Sequence, residues 1–353
     1  MLNYLIFLFI PPIILYFTSH KKNYENLGWF IVFFFLLALS TFRDNIGSDQ
    51  GDYSWTYMRY YFDFDSSSFP NYEIFYSLIE FISSKILFLG FEGVNFFCAI
   101  FYLVGLILLI KDEKKNWLCL FISLPYFYFT ISWGHLRQSL ALGFVLFSVY
   151  FYKEKNYFPL LISLTLAFLS HKFSIIFIPV LIFSIFKNKY KKTALALGVG
   201  IIIGLVFYIT IVNSAYLHQF ITDIPKSYTT SKGGVLRSFM NLIPSILFLL
   251  NLKYMKKYYD YSLYFYISII CITMFPLSFF FPIPIARIGI YFGLIQFIVL
   301  PRIIDSFNYK NQLISICFVI SYYLAVFIMW LLYSPHIYLW LPYKFTFFGT
   351  YMW

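Results

Sequence analysis

The sequence predicts an all-α polytopic integral membrane protein with about twelve transmembrane helices, and three observations carry that expectation. Of its 353 residues, 61% are hydrophobic and only 12% are charged, with a mean hydropathy of +0.76. A soluble domain cannot hide so much apolar surface. The apolar residues fall in long runs broken by short charged patches, the pattern expected where lipid forces each spanning backbone to satisfy its own hydrogen bonds. Finally, stretches such as "TALALGVGIIIGLVFYITIV" (193–212) are apolar on every face, whereas a membrane β-strand alternates polar and apolar residues over about ten positions.

Apolar runs between charged breaks place helices near 2–18, 27–42, 94–110, 117–133, 136–152 and 157–170. Six more lie near 173–186, 193–212, 238–252, 261–280, 288–300 and 312–333. The first run lacks a basic segment before it and a small-residue cleavage site after it, so it is expected to stay as a helix rather than be removed as a secretory signal. The whole chain, 1–353, reads as a single transmembrane domain. No internal repeat of the kind built into many transporters is visible.

Lysine orients the bundle. The segments "HKKNYEN", "KDEKKN", "KEKN", "KNKYKK", "KYMKKYY" and "PRIIDSFNYKN" recur at alternate loops, and the positive-inside rule makes these loops cytoplasmic. The alternation holds only if residues 43–93 form one long outer loop between the second and third spans. Within it, 72–89 ("NYEIFYSLIEFISSKILFLG" extends one residue beyond) is expected to be an interfacial or re-entrant helix whose Glu73, Glu80 and Lys85 keep a wet edge. A second outer loop covers 213–237. Any active site built on the outer loops would face away from the cytoplasm.

Arginine is distributed the other way. The inner loops hold fifteen of the twenty lysines but only Arg302 among the six arginines, leaving Arg43, Arg59, Arg137, Arg237 and Arg287 outside. The orientation rule treats the two residues alike, so a chemical reason is needed. A guanidinium offers a planar fork that grips phosphate or carboxylate bidentately, which a lysine point charge does not. The plainer alternative is that these arginines pair with nearby acids, eight of fifteen of which lie between Asp44 and Glu92. The formal net charge of +11 is mostly inner lysine facing anionic lipid. No basic stripe in a soluble domain points to nucleic acid. The isolated cysteines Cys98, Cys119, Cys271 and Cys317 form no disulfide frame, and no phosphate-binding loop, dinucleotide fingerprint or metal-ligand spacing is present. Neither a nucleotide nor a metal cofactor is expected.

Candidate site residues gather at the outer corners. "TFRDNIGSDQGDY" (41–53) supplies Arg43, Asp49, Asp52 and Tyr53 around a turn at Gly47, and its acids could orient a sugar hydroxyl or accept its proton. "WGHLRQSLALG" (133–143) puts Arg137 and Gln138 in the first turn of a helix, a natural anion seat. Trp133 could stack on a sugar or anchor at the head-group level. "AFLSHKFSIIFIP" (167–179) places His171 at a bend, where it could act as acid or base; His20, His135, His218 and His336 have weaker cases. "SKGGVLRSFMNLIP" (231–244) joins a Gly-Gly hinge to Arg237 at the end of a long loop, suggesting a mobile lid. "FPIPIARIGIYF" (281–292) breaks an apolar stretch with prolines and sets Arg287 at membrane depth, which is costly unless it faces a cavity or a partner.

These residues also resemble a known family. Arg43, Gly47 and Asp49 with Tyr53, Glu73 in its "E.FYSL" context, the stretch 137–180 with its Arg-Gln pair and helix-ending histidine, and the C-terminal "PYKF" are similar to the EpsG family of bacterial polysaccharide polymerases. The resemblance covers most of the chain. It implies a GT-C-like, Wzy-like glycosyltransferase joining oligosaccharide repeat units carried on undecaprenyl diphosphate, without nucleotide sugar or metal. Donor and acceptor would both be lipid-linked glycans, membrane lipids would surround them, and a separate protein could set chain length. Asp49 or His171 would be the base. Arg287 would stabilise the departing phosphate, with Arg43, Asp52, Tyr53, Glu73, Trp133, Arg137, Gln138 and Arg237 binding diphosphate and sugar. A ligase that moves finished glycan, or a flippase for the same lipid, would draw on similar residues.

Overall fold

The computed structural model of the protein describes residues 1–19, 22–51, 53–54, 57–58, 73–185, 232–334 and 336–345. The predicted helix at 193–212, and Asp52 and Arg59, lie outside the described residues. Those that are described form an all-helical membrane protein: α1 (Leu2–Ser19), α2 (Lys22–Thr41), α3 (Ile74–Phe81), α4 (Gly90–Ile110), α5 (Asn116–Ser123), α6 (Leu136–Lys153), α7 (Tyr157–Ser170), α8 (Phe177–Ile185), α9 (Lys232–Leu250), α10 (Tyr261–Leu277), α11 (Pro282–Phe292), α12 (Leu294–Ile304) and α13 (Tyr309–Tyr333). Helix α3 continues as a π-helical stretch, Ile82–Ile86, and α5 as another, Leu124–Ser132.

Five of these are long and apolar enough to cross a bilayer: Leu2–Ser19, Asn23–Thr41, Gly90–Ile110, Gly233–Leu250 and Tyr309–Tyr333. The pair α11 and α12 makes a sixth if taken as one broken span, bent by 53°. Shorter apolar helices at Asn116–Ser132, Tyr157–Ser170, Lys172–Ile185 and Tyr261–Leu277 need thinning of the bilayer or burial among neighbours to reach across.

The described residues fall into two compact units. Unit 1 comprises Met1–Phe151, Asn156–Lys172 and Phe307–Trp353; unit 2 comprises Tyr152–Lys155 and Phe173–Ser306. In unit 1 the helix ends sort cleanly. Glu25, Asn116 and Gln312, at the starts of α2, α5 and α13, meet the lysine-bearing turn after α4: Asn116 Nδ2 donates to Glu25 Oε1 (3.4 Å) and to the Lys111 carbonyl (3.2 Å), and Lys115 Nζ donates to Gln312 Oε1 (3.2 Å). The opposite end gathers the start of α1, the end of α2, the start of α4 and the chain after α13. There Tyr4 Oη donates to the Trp340 carbonyl (2.7 Å), Tyr343 Oη to the Leu39 carbonyl (3.0 Å), and the Asp44 and Gly47 amides to the carbonyls of Lys344 (3.1 Å) and Leu339 (3.0 Å). The starts of α2, α5 and α13 and the turn after α4 thus lie together at one end of the unit.

Unit 2 is organised around α9, which packs on α10, α11 and α12. Two of its buried amide side chains are paired: Asn241 Nδ2 donates to the Gly289 carbonyl (2.9 Å) and Gln296 Nε2 to Asn241 Oδ1 (2.7 Å). Arg302, the one inner arginine, forms a bidentate bond to Asp260 (2.7 and 3.0 Å), with both residues buried and the Tyr258 ring 4.2 Å from the guanidinium. Deleting one partner strands a buried charge. Asp260→Asn is therefore expected to destabilise the protein by about 3–5 kcal/mol, seen as a lower Tm in detergent, while surface Lys253→Gln leaves Tm unchanged.

Three expectations need correction. Helix α9 starts at Lys232, inside the stretch expected as loop, and the Gly-Gly pair is helical. A Cβ on Gly234 would stand 2.5 Å from the Pro282 carbonyl oxygen, so this glycine permits close helix packing rather than a hinge. Helix α11 starts at Pro282 instead of near 288, because proline fits a first helical turn whose N–H groups lack partners. The helix expected near 72–89 is present at 74–86, but Glu73 and Glu80 are buried, so it has no wet edge along those residues.

Candidate functional site

At the end of unit 1 opposite the lysine-bearing turn after α4, three corners of the chain converge. The 43–49 loop leaves α2 through Arg43 and is pinned against the 133–135 corner: the Asp49 amide donates to the Gly134 carbonyl (3.3 Å), as does Ser48 Oγ (3.1 Å). Gly47 makes this possible. It holds φ at +131°, where an L side chain is strained, and a Cβ there would lie 2.3 Å from the Trp133 carbonyl oxygen.

The start of α6 then delivers its side chains in different directions, as successive positions on a helix must. His135, just before the helix, sets Nδ1 2.8 Å from Asp49 Oδ2. Arg137 donates through NH1 to Glu73 Oε2 (2.8 Å) and through Nε to Tyr53 Oη (3.3 Å), its guanidinium lying 5.1 Å from the Tyr53 ring centre. Gln138 Nε2 is 3.5 Å from His171 Nε2, and that nitrogen is 3.9 Å from Glu73 Oε1. Glu73 therefore bridges Arg137 and His171. Burial pushes the Glu73 carboxyl above its usual range while the Arg137 charge draws it back, and burial raises the Tyr53 hydroxyl well above its ordinary value. Asp49, Tyr53, Glu73, Arg137, Gln138 and His171, each singled out in the sequence, share one neighbourhood.

Exposure divides them. The Arg137 side chain is 44% exposed, those of Asp49 and His135 are 34% and 22% exposed, and those of His171 and Glu73 are close to 10%. The first three can meet a ligand without rearrangement.

Arg43 and Trp133 occupy a different layer. Arg43 is 2% exposed, and its guanidinium donates to the Ser40 carbonyl (2.5 Å), the Ile46 carbonyl (3.2 Å), Asn95 Oδ1 (2.8 Å) and the Trp133 carbonyl (3.4 Å). Its fork is used on protein oxygens that end α2 and begin α4, not held open for phosphate. Burial lowers its pKa to about 10, so it remains protonated at neutral pH. Trp133 is fully buried, donates Nε1 to Ser40 Oγ (3.0 Å) and packs among Tyr4, Tyr128, Phe129 and Tyr343; no face is open to a sugar. Neither residue meets the ligand-contact expectation as the chain stands.

Arg237 and Arg287 belong to unit 2. Arg237 is half-buried on α9, and Arg287 is exposed on α11 with no hydrogen bond or ion pair among the described residues. Among the described residues no cluster of His, Cys, Asp or Glu has the arrangement of a metal site.

Sequence reasoning ranked His135 below His171 and passed over Asn95. The signal for His135 was its place beside Arg137 in the same corner. Asn95 carried none, since one amide near the start of an apolar helix says nothing of the arginine it will meet.

Compared with family models, residues 26–345 match the model of the EpsG family. The chain belongs to the EpsG family. EpsG proteins are multi-pass membrane proteins associated with exopolysaccharide biosynthesis, working with lipid-linked glycans. No curated protein and no solved structure matches this chain. The matched span takes in every corner of the candidate site, from Arg43 to His171, together with the tail residues that brace it.

Proposed function

We propose that this EpsG-family protein is a glycosyltransferase that polymerises oligosaccharide repeat units carried on undecaprenyl diphosphate, at the outer face of the bacterial cytoplasmic membrane and within a bundle of about twelve spans. The observation that carries this reading is the Asp49–His135 pair beside a part-exposed Arg137, all at the end of unit 1 opposite the lysine-bearing turn after α4. An acid–base pair next to a guanidinium suits attack by a hydroxyl on a sugar whose leaving group is a phosphate. The donor arrives already activated, so no nucleotide need be bound.

In the proposed step the acceptor hydroxyl forms a new bond to the anomeric carbon of the donor. The bond from that carbon to the phosphate oxygen breaks, and the lipid diphosphate departs with the electron pair. His135 Nε2 takes the hydroxyl proton; Asp49, bound at Nδ1, holds the ring in the tautomer that leaves Nε2 basic. Arg137 meets the departing diphosphate, and Glu73 with Tyr53 keeps its guanidinium aimed. His171 and Gln138 orient the sugar behind it. Asp52 follows Asp49 in the same loop and adds a hydroxyl ligand. Arg237 and Arg287, both on unit 2, are each proposed as ligands for a lipid-borne phosphate on that unit by itself.

The fork matters more than the charge at Arg137. Arg137→Lys, which cannot serve Tyr53, Glu73 and a phosphate at once, is expected to lower chain formation at least about tenfold, as a loss of roughly 1.4 kcal/mol of transition-state binding. Steady-state rates at matched expression check this, and full activity in the lysine variant contradicts it.

Cells lacking the gene, complemented with wild type or with His135→Gln, test the function by gel electrophoresis of surface glycan. A ladder restored only by wild type is expected, with single-unit bands in the null and the variant. Full-length chains that remain on the carrier lipid in the null would instead indicate a ligase, and repeat units trapped on the inner leaflet a flippase.

A further inference from the structure

Between α2 and α4 lies a cleft of about 330 Å³, within the size range of small-ligand pockets. Its lining is mostly apolar, with Phe34, Ala38 and Phe42 on one side and Leu89, Gly93 and Phe96 on the other; Thr41 and Glu92 are its polar members. Positions 34, 38 and 42, like 89, 93 and 96, repeat at the spacing that keeps side chains on one face. Ala38 lies between two phenylalanines on one wall and Gly93 between Leu89 and Phe96 on the other, giving a trough between two helices that each meet the length and hydropathy of a membrane span.

Two features tie the trough to the polar site. Arg43 follows Phe42 directly and donates to Asn95, beside Phe96, so one hydrogen bond clamps the two walls together at that end. The same loop then runs on to Asp49 and its bond with His135. Next in sequence to the lining residue Leu89, Phe88 holds φ at +50°, a left-handed conformation that bulky residues rarely adopt, and its ring is left exposed, as are Ile86 and Leu87. Strain of this kind persists where the surrounding structure imposes it, often at ligand clamps.

Resting on the polymerase reading, we propose that this cleft seats the polyprenyl tail of a lipid-linked glycan, with the diphosphate emerging toward Arg137. A hydrocarbon chain suits the lining, because a sugar or head group would leave its polar atoms unpaired there. Among lipids, one whose head group reacts at the adjoining site is the one that gains from a trough ending there.

The test is photo-crosslinking of the purified full-length protein in nanodiscs. The probe is undecaprenyl diphosphate carrying a diazirine in its isoprenoid chain and no sugar, with a diazirine phosphatidylglycerol as comparator. Label on peptides spanning 34–42 or 89–96, competed by unlabelled undecaprenyl diphosphate, is expected from the first probe. Ala38→Phe, which fills the trough, should weaken competition on the order of a hundredfold, since each buried methylene is worth roughly fourfold in affinity. Label elsewhere overturns the proposal, and so does equal labelling by the phospholipid without competition. If Ala38→Phe lowers Tm, the wild-type label map decides alone. Because the probe carries no glycan, label in the cleft from a protein that forms no ladder keeps the cleft and defeats the polymerase reading. A ladder without cleft label does the opposite.

Discussion

His135→Gln is expected to lower the rate of chain extension by about 10²–10⁴-fold, the range ascribed to a positioned general base. The change keeps a polar side chain at the corner but removes the nitrogen that would accept the hydroxyl proton. Asp49→Asn should approach the same loss while His135 stays in place, because an amide can turn its N–H toward Nδ1 and leave the ring in the wrong tautomer. The pair lies 2.8 Å apart, so the two losses should not add: a double variant should be no slower than the worse single one. Thermal unfolding in detergent distinguishes this from a structural defect. An unchanged Tm with the rate lost supports a base; a rate that falls only in step with the amount of folded protein places His135 outside the chemistry.

Arg43→Lys is the second large effect, and it should act on stability. The guanidinium reaches the carbonyls of Ser40, Ile46 and Trp133 and the Asn95 side chain, holding the end of α2, the start of α4 and the corner before α6. A lysine ammonium is a compact donor on a flexible stem and cannot span these directions. With hydrogen bonds to charged groups worth about 1.5–3 kcal/mol each, losing two or three should cost on the order of 3–6 kcal/mol. Thermal unfolding in detergent should show Arg43→Lys nearly as damaged as Arg43→Ala, while substrate affinity of the surviving folded fraction is preserved. A stable Arg43→Lys protein with a weakened affinity would return Arg43 to the ligand.

The helices were legible because lipid leaves few alternatives. An apolar run must be helical, and a lysine cluster must end it, so α1, α2, α4 and α13 fall near their expected limits. Breakers were misread where packing reversed their usual sense. Gly233 and Gly234 lie in α9, Gly234 letting it approach Pro282, and Pro282 begins α11 instead of interrupting it. Within the site, Asp49, Arg137, Glu73 and His171 could be nominated from residue type and corner position. Their partners could not, since Asp49 meets His135 at a separation of 86 residues and Tyr343 braces Leu39 at a separation of 304. Arg43 shows the limit most clearly: an arginine beside acids in a loop reads as a phosphate ligand until the carbonyls surrounding it are seen.

Reconstitution tests the polymerase proposal most directly. The purified protein is placed in liposomes with a single undecaprenyl-diphosphate-linked repeat unit, without nucleotide sugar, and the products are separated by size. The expected result is a ladder rising in steps of one repeat unit, with one lipid diphosphate released per step, and its disappearance with His135→Gln. Folded protein that turns over no lipid-linked unit, or that transfers it once to an added acceptor without extending it, would contradict the assignment.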